Sequence, residues 1–267
     1  MRCIGRGTYG EVWLGLDVFN HWEQKVRHIT ACRICQNPRL ASVINLGSQC
    51  LASLFNDGKP YNKLETPVPL EVVRCDTDAV HHGCGFVQLR CTVPPEVLYC
   101  DYGYRSSINM TMRRHLQALA HEIESRVLLN RGDIVIDIGA NDGVTLLAYQ
   151  SQDIVRVGFE PSNIRPEQMN DALVYIPNVF NAKDFKAKFP DRTARVITSI
   201  AMFYDIDDPL QFCHDVYELH SPDGFWGVEM SYLGAMLDNN SFDVIHYVTH
   251  RLYPCASAKL SRKGCAG

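Results

Sequence analysis

The segment Val135–Gly143 reads VIDIGANDG: an apolar run that ends at Asp137, a sharp turn at Gly139, and a second glycine, Gly143, near the start of the following helix. Glycine at such a turn adopts positive φ without a Cβ penalty and lets backbone approach a ligand closely. Gly139 and Gly143 are separated by three residues, so the G-x-G-x-x-G spacing of a dinucleotide site is not met. Twenty-three residues after Asp137, a second strand, RVGFE, ends at Glu160, placing a carboxylate where a ribose diol can donate two hydrogen bonds to it. An acidic strand end, a glycine turn and a second acidic strand end fit a ribose-bearing cofactor that has no pyrophosphate.

The same rhythm extends along the chain on either side. DIVIDIG, IVRVGFE, ARVITSIAMF and GFWGVEMS are short apolar runs bounded by Gly, Asp, Asn or Pro, and DDPLQFCHDVYELH before SPDG has the length of a helix. Nearly continuous apolar strands alternating with helices predict an α/β fold, a doubly wound parallel sheet that binds its ligand at the carboxyl ends of the strands. Upstream, Met112, Leu116, Leu119, Ile123 and Val127 recur at spacings of three and four, which predicts an amphipathic helix over Asn109–Leu129. Residues 30–98 are rich in prolines and turn formers and read as a small irregular β module. The expected organisation is an extension over 1–29, the β module over 30–98, a helical linker and substrate-side segment over 99–130, a cofactor-binding domain over 131–240, and a C-terminal tail over 241–267.

Composition narrows the function. The 267 residues are 46% hydrophobic and 21% charged with a net charge of −4, which excludes collagen-like, disordered and coiled-coil classes. Lys and Arg are scattered, giving no electrostatic footprint for nucleic acid or a membrane surface, so a small-molecule partner is expected. No apolar run approaches a bilayer span and the first thirty residues lack signal-peptide features, so a cytoplasmic location is expected. Eleven cysteines are many for that compartment, and eight lie in the first 100 residues. Cys32 and Cys35 have the C-x2-C spacing of a zinc knuckle; Cys75 and Cys84, separated by DTDAVHHG, would complete a four-thiolate structural site, with His81 or His82 able to replace one sulfur. Such a site would stabilise a module too small for a sufficient core.

The turn and the two acidic strand ends resemble class I S-adenosylmethionine-dependent methyltransferases, which implies a Rossmann-like methyltransferase sheet. By that resemblance Gly139 and Gly143 form the floor under the cofactor, Glu160 holds the ribose hydroxyls, and Asp137, Asn141 and Asp142 lie in the turn beside its polar end. The succession CRICQNPRLASVINLGSQCLASLF, PVPLEVVRC, CGFVQL, YGYRSS, IDIGANDG, GFEPSN, ITSIAMFYDIDDP and GVEMSYLGAML resembles, in order over about residues 30–245, the zinc-binding bacterial sugar C-methyltransferases. The resemblance implies methyl transfer to carbon of a nucleotide-linked 4-keto-deoxysugar through an enolate. It sets DYGYRSS beside the sugar, making Tyr102 and Tyr104 candidate hydrogen-bond donors, and puts Phe203–Asp208 in the cleft, with Asp205 as a polar contact and Asp207 or Asp208 as a helix cap.

Two segments depart from that pattern. The family's second cysteine pair is usually C-x2-C, so DAVHHG reads as a six-residue insertion between Thr77 and Cys84. The family also carries a His-Glu-His cluster, read as the catalytic base, whereas this sequence diverges after Ile245 and offers only His246 and His250 nearby. A catalytically defective cofactor- or zinc-binding protein and a methyltransferase with another acceptor are therefore the competing expectations. At the other end Ile4–Gly15, IGRGTYGEVWLG, resembles a protein-kinase glycine-rich loop, yet no H-R-D or D-F-G accompanies it, so a non-functional appended fragment is expected.

Overall fold

The computed structural model describes residues 26–51, 67–77, 83–99, 103–167, 172–241, 245 and 251–252. The kinase-like segment, His81, His82, Tyr102, His246 and His250 lie outside the described residues.

The N-terminal module is built from β1 (Arg27–His28), β2 (Leu40–Gln49), β3 (Val68–Cys75), β4 (Val87–Leu89) and β5 (Cys91–Thr92), followed by the short helix α1 (Pro95–Tyr99). β2, β3 and β4 pair antiparallel, and β1 pairs with β5, so the module begins before residue 30. In β3, Val68, Leu70 and Val72 alternate inward past exposed Pro69, the period of a half-buried strand; the alternation shifts at Val73, after which Arg74 faces solvent and Cys75 is buried. These residues meet Leu89, Cys91, Val97 and Leu98 in one apolar core.

Helix α2 (Met110–Arg126) starts at Asn109, whose side chain accepts from the Thr111 and Met112 backbone N–H groups. It stops short of Leu129 because Val127 turns to extended backbone. Its buried residues Ala120 and Ile123 pack with Val135 and Leu146 in one core, so the stretch expected as a linker forms a covering layer of the fold.

The remaining elements follow in order: β6 (Ile134–Ile138), α3 (Val144–Ala148), β7 (Val155–Phe159), β8 (Leu173–Ile176), α4 (Ala182–Lys188), β9 (Ala194–Ile200), α5 (Pro209–Leu219), β10 (His220–Glu229), α6 (Leu233–Asp238) and β11 (Arg251–Leu252). Five of these strands form a wholly parallel sheet in the order β10-β9-β6-β7-β8. β6 is central and buried throughout, and its alternating side chains feed two cores. Ile134, Ile136 and Ile138 pack with Phe185 of α4, Phe212 of α5 and Trp226, while Val135 faces α2 and α3. Each such side chain, taken fully from water, contributes about 1.5–3 kcal/mol. The double winding expected from the apolar runs is the fold observed.

The chain steps outward from β6 to β7 and β8, then crosses back to lay β9 on the other side of β6. That reversal opens a crevice above the carboxyl ends of β6 and β9, the place where such sheets hold ligands. The C-terminal segment returns to the first module: β11 pairs with β4, and Met236 of α6 and Ile245 join the module's core. Among the described residues no helix is long and apolar enough to cross a membrane.

Candidate active site and metal centre

A cavity of about 580 Å³ occupies the crevice. Asp137 and Gly139 enter it from the end of β6, Asn141 from the turn, Glu160 from the end of β7, and Met202 and Tyr204 from the segment after β9. Gly139 sits at φ +74, and a Cβ there would stand 3.3 Å from the Met202 side chain, so glycine alone keeps both the turn and the space. Gly143, at φ +79, heads α3; a Cβ would meet Pro166 and the Tyr175 hydroxyl at 2.8 Å. Gly143 therefore allows close packing behind the cavity wall.

Glu160 is buried, and each carboxylate oxygen accepts one backbone N–H: Oε2 from Asn141 at 2.8 Å and Oε1 from Ser162 at 2.9 Å. Each oxygen keeps capacity for a further donor. Asp137 is also buried, and Thr198 donates to its Oδ1 at 2.6 Å. Burial raises this carboxyl to about 7 against the lowering effect of the Thr198 and Thr145 hydroxyls, and the neighbouring Glu160 adds to the rise.

Asn141 and Asp142 reach away from the sheet to hold the stretch before α2. Asn141 donates from Nδ2 to the Tyr104 carbonyl and accepts the Ser106 N–H, both at 3.0 Å, and Asp142 accepts the Ser107 N–H at 3.1 Å. Asn141 thus serves both the wall and the neighbouring segment, whereas Asp142 stands behind the wall. Those bonds set Tyr104, half exposed, at the edge of the cavity.

Asp205 and Asp207 line the cavity as expected of the 203–208 segment, but only Asp208 caps a helix, accepting the Gln211 N–H at 3.0 Å. Asp207 instead faces the N-terminal module, where it receives the guanidinium groups of Arg27 and Arg33 and the Thr92 hydroxyl. Sequence reading missed the apolar flank at Val179 and Phe180, just past β8, and the side wall from Pro95, Tyr99, Met112 and Leu116. A run ALVYI that stops at Pro177 was the available signal for a third strand end.

The four cysteines come together as their spacing proposed. Their sulfurs all lie within 4.8 Å of one another, with Cys32–Cys84 at 3.6 Å and Cys35–Cys75 at 3.5 Å. Thiolates bound at about 2.3 Å to one tetrahedral zinc lie about 3.8 Å apart, so the set fits a single zinc ion. Cys32 begins a tight turn in which Gln36 N–H donates to the Cys32 carbonyl, and Asn37 Nδ2 donates to the Cys75 sulfur at 3.6 Å. Cys84 reaches the cluster despite the insertion that precedes it. Burial and neighbouring thiols push Cys84 up to about 12; in Cys35 the opposing backbone donors of Asn37 and Cys84 outweigh burial and hold it at about 6. A metal-free cluster thus resists full ionisation, and a cation is what lets four thiolates coexist.

Comparison with known proteins agrees with both halves. Residues 32–99 match a family model described as "Putative zinc binding domain", and residues 111–255 match one described as "Methyltransferase domain". The chain is 31% identical over 225 residues to C-methyltransferase NovU of Streptomyces niveus, covering 83% of this chain and 52% of that protein. The chain thus spans about half the length of this curated relative. Solved structures aligned with it include the plantazolicin methyltransferase BpumL with a pentazolic desmethylPZN analog and SAH (13% identical, 53% of this chain and 58% of that chain, TM-score 0.40). Another is the [4+2]-cyclase SpnF (16% identical, 42% and 43%, TM-score 0.34). Since the methyltransferase match alone takes in more than half of the residues, this chain belongs to the methyltransferase family, with a zinc-binding domain preceding the catalytic fold.

Proposed function

We propose that the protein transfers the methyl group of S-adenosylmethionine to carbon of a nucleotide-linked 4-keto-deoxysugar. The observation that carries this reading is the convergence of Asp137, Gly139 and Glu160 on the cavity at the sheet's switch point. The relation to a C-methyltransferase supports carbon as the acceptor atom.

Bound there, the cofactor supplies a methyl group on a sulfonium, already activated toward a carbon nucleophile. Glu160 uses its remaining lone pairs for the ribose hydroxyls. Asp137 would offer a carboxylate to the cofactor's ammonium, and Val179 and Phe180 would supply apolar surface for its adenine. Asp137, Glu160, Asp205, Asp207, Asp208 and Asp215 line the cavity with no Lys, Arg or His among the described lining residues. This acidic wall suits a cation, and the diphosphate of the acceptor would have to lie outside it. Tyr104, at the edge of the cavity, would donate its phenol to the sugar oxygen as enolate charge develops. Tyr102 shares that role, and His246 or His250 takes the proton beside the carbonyl, on sequence grounds alone.

The divergence after Ile245 favours a second reading, binding without turnover. Incubation with methyl-labelled cofactor and a panel of 4-keto-sugar nucleotides separates the two. Transfer that Gly139→Arg abolishes supports the enzyme; a folded protein that binds cofactor but labels no member of the panel supports the second reading.

A further inference from the structure

Arg33 lies between the first two zinc-ligand cysteines, and its side chain is only 6% exposed. Its guanidinium runs inward from the knuckle. Nη1 donates to Gln88 Oε1 and the Leu89 carbonyl, each at 3.0 Å, Nη2 to the Thr92 hydroxyl, and Nε to Asp207 Oδ1 at 3.3 Å. The Arg33 backbone is fixed too, its N–H donating to Gln88 Oε1 at 3.3 Å. A planar fork with this many fixed acceptors has one orientation, set by where the knuckle places its Cα.

Asp207 is the far end of that chain of contacts. It precedes the Asp208 cap of α5 and forms part of the cavity wall with Tyr204 and Asp205. Thr92 also donates to its Oδ1 at 3.4 Å. The charge facing the cavity wall from the module is therefore delivered by a residue of the metal knuckle. Arg27 also reaches Asp207, but its side chain is 64% exposed, so solvent weakens its hold.

We propose that the zinc knuckle and the cofactor cavity are energetically coupled through the positioning residues Arg33 and Asp207, so that cofactor binding and zinc retention strengthen each other. This rests on the cofactor reading above. With zinc bound, the thiolates hold the turn and Arg33 holds Asp207 and the wall behind it. With zinc removed, no bond ties Cys32 and Cys35 to Cys75 and Cys84, so the turn is released, Arg33 loses its fixed origin and Asp207 loses its buried partner. Coupling of this kind is reciprocal, so either site reports on the other.

The test follows zinc transfer from the full chain to a chromophoric chelator, with and without saturating S-adenosylhomocysteine. The variants are Asp207→Asn and Asp207→Glu, each saturated at its own affinity. Wild type is expected to hold zinc about tenfold more tightly with the ligand, within the usual range for coupled sites. Asp207→Asn should reduce that protection to less than about twofold, and Asp207→Glu, which keeps the carboxylate, should retain most of it. A merely structural contact would change zinc affinity equally with and without ligand. Ligand binding that leaves wild-type zinc retention unchanged, or full protection in Asp207→Asn, overturns the coupling alone. A folded, zinc-loaded wild type that binds no S-adenosylhomocysteine overturns the cofactor reading and the coupling with it.

Discussion

A carboxyl held at about 7 by burial, as Asp137 is, binds its proton more tightly in the folded chain than in the unfolded one, where its ordinary value is 3.8. Its contribution to stability is therefore fully present below the unfolded value and is lost as pH rises through the folded one. The loss corresponds to about 4 kcal/mol at most. Asp137→Asn, which carries no titratable proton, should match wild type in denaturant unfolding near pH 4 and exceed it at pH 8. Equal stability offsets at both pH values would show that Asp137 is not desolvated. A cationic ligand reverses this preference, so cofactor binding near pH 7 should release protons, visible as binding heats that vary with the buffer's ionisation enthalpy. Among the zinc ligands Cys32 and Cys35 were legible, because cysteines at C-x2-C spacing share one turn, whereas Cys75 ends β3 and Cys84 lies beyond the insertion. The Arg33–Asp207 pair was not legible: its partners are 174 residues apart, and an Asp beside a helix start reads as a cap until its partner is seen.

Single side chains finish helix α3 and close the zinc site. Helix α3 is short, and its carbonyl ends are collected by one buried guanidinium: Arg156 donates to the carbonyls of Leu146 at 2.9 Å, Tyr149 at 3.0 Å and Ser151 at 2.7 Å. Replacing it with methionine removes the donor that these carbonyls share. Arg156→Met should lower unfolding free energy by about 2–4 kcal/mol, read from the urea midpoint at unchanged slope. A change below about 0.5 kcal/mol would mean that other donors take over. In the module, Cys84 closes the metal site from a short stretch between the insertion and β4. Cys84→Ser should lower zinc content measured by atomic emission and destabilise the module, while a variant that keeps full zinc would remove Cys84 from the ligand set. Most strands were readable as apolar runs. β8 was overlooked because it is a four-residue edge strand with a half-buried middle, and its period is too short to register.

Among the described residues, the contacts that join the zinc module to the methyltransferase sheet are of two kinds. One is polar, Arg27 and Arg33 on Asp207; the other is apolar, α6 and Ile245 packed into the module's core. The boundaries drawn from composition treat these parts as separate local units. They could not anticipate that the chain would return to the module after crossing the sheet, because strand pairing such as β11 with β4 depends on contacts remote in sequence. The central claim is that the cavity over β6, β7 and β9 receives S-adenosylmethionine. Isothermal titration of the folded, zinc-loaded chain with S-adenosylhomocysteine tests it most directly. The account predicts saturable one-to-one binding that Glu160→Ala weakens by at least about tenfold, the effect of losing a carboxylate's charge-assisted hydrogen bonds to two hydroxyls. No binding by the folded protein, or binding unaffected by Glu160→Ala, would contradict it.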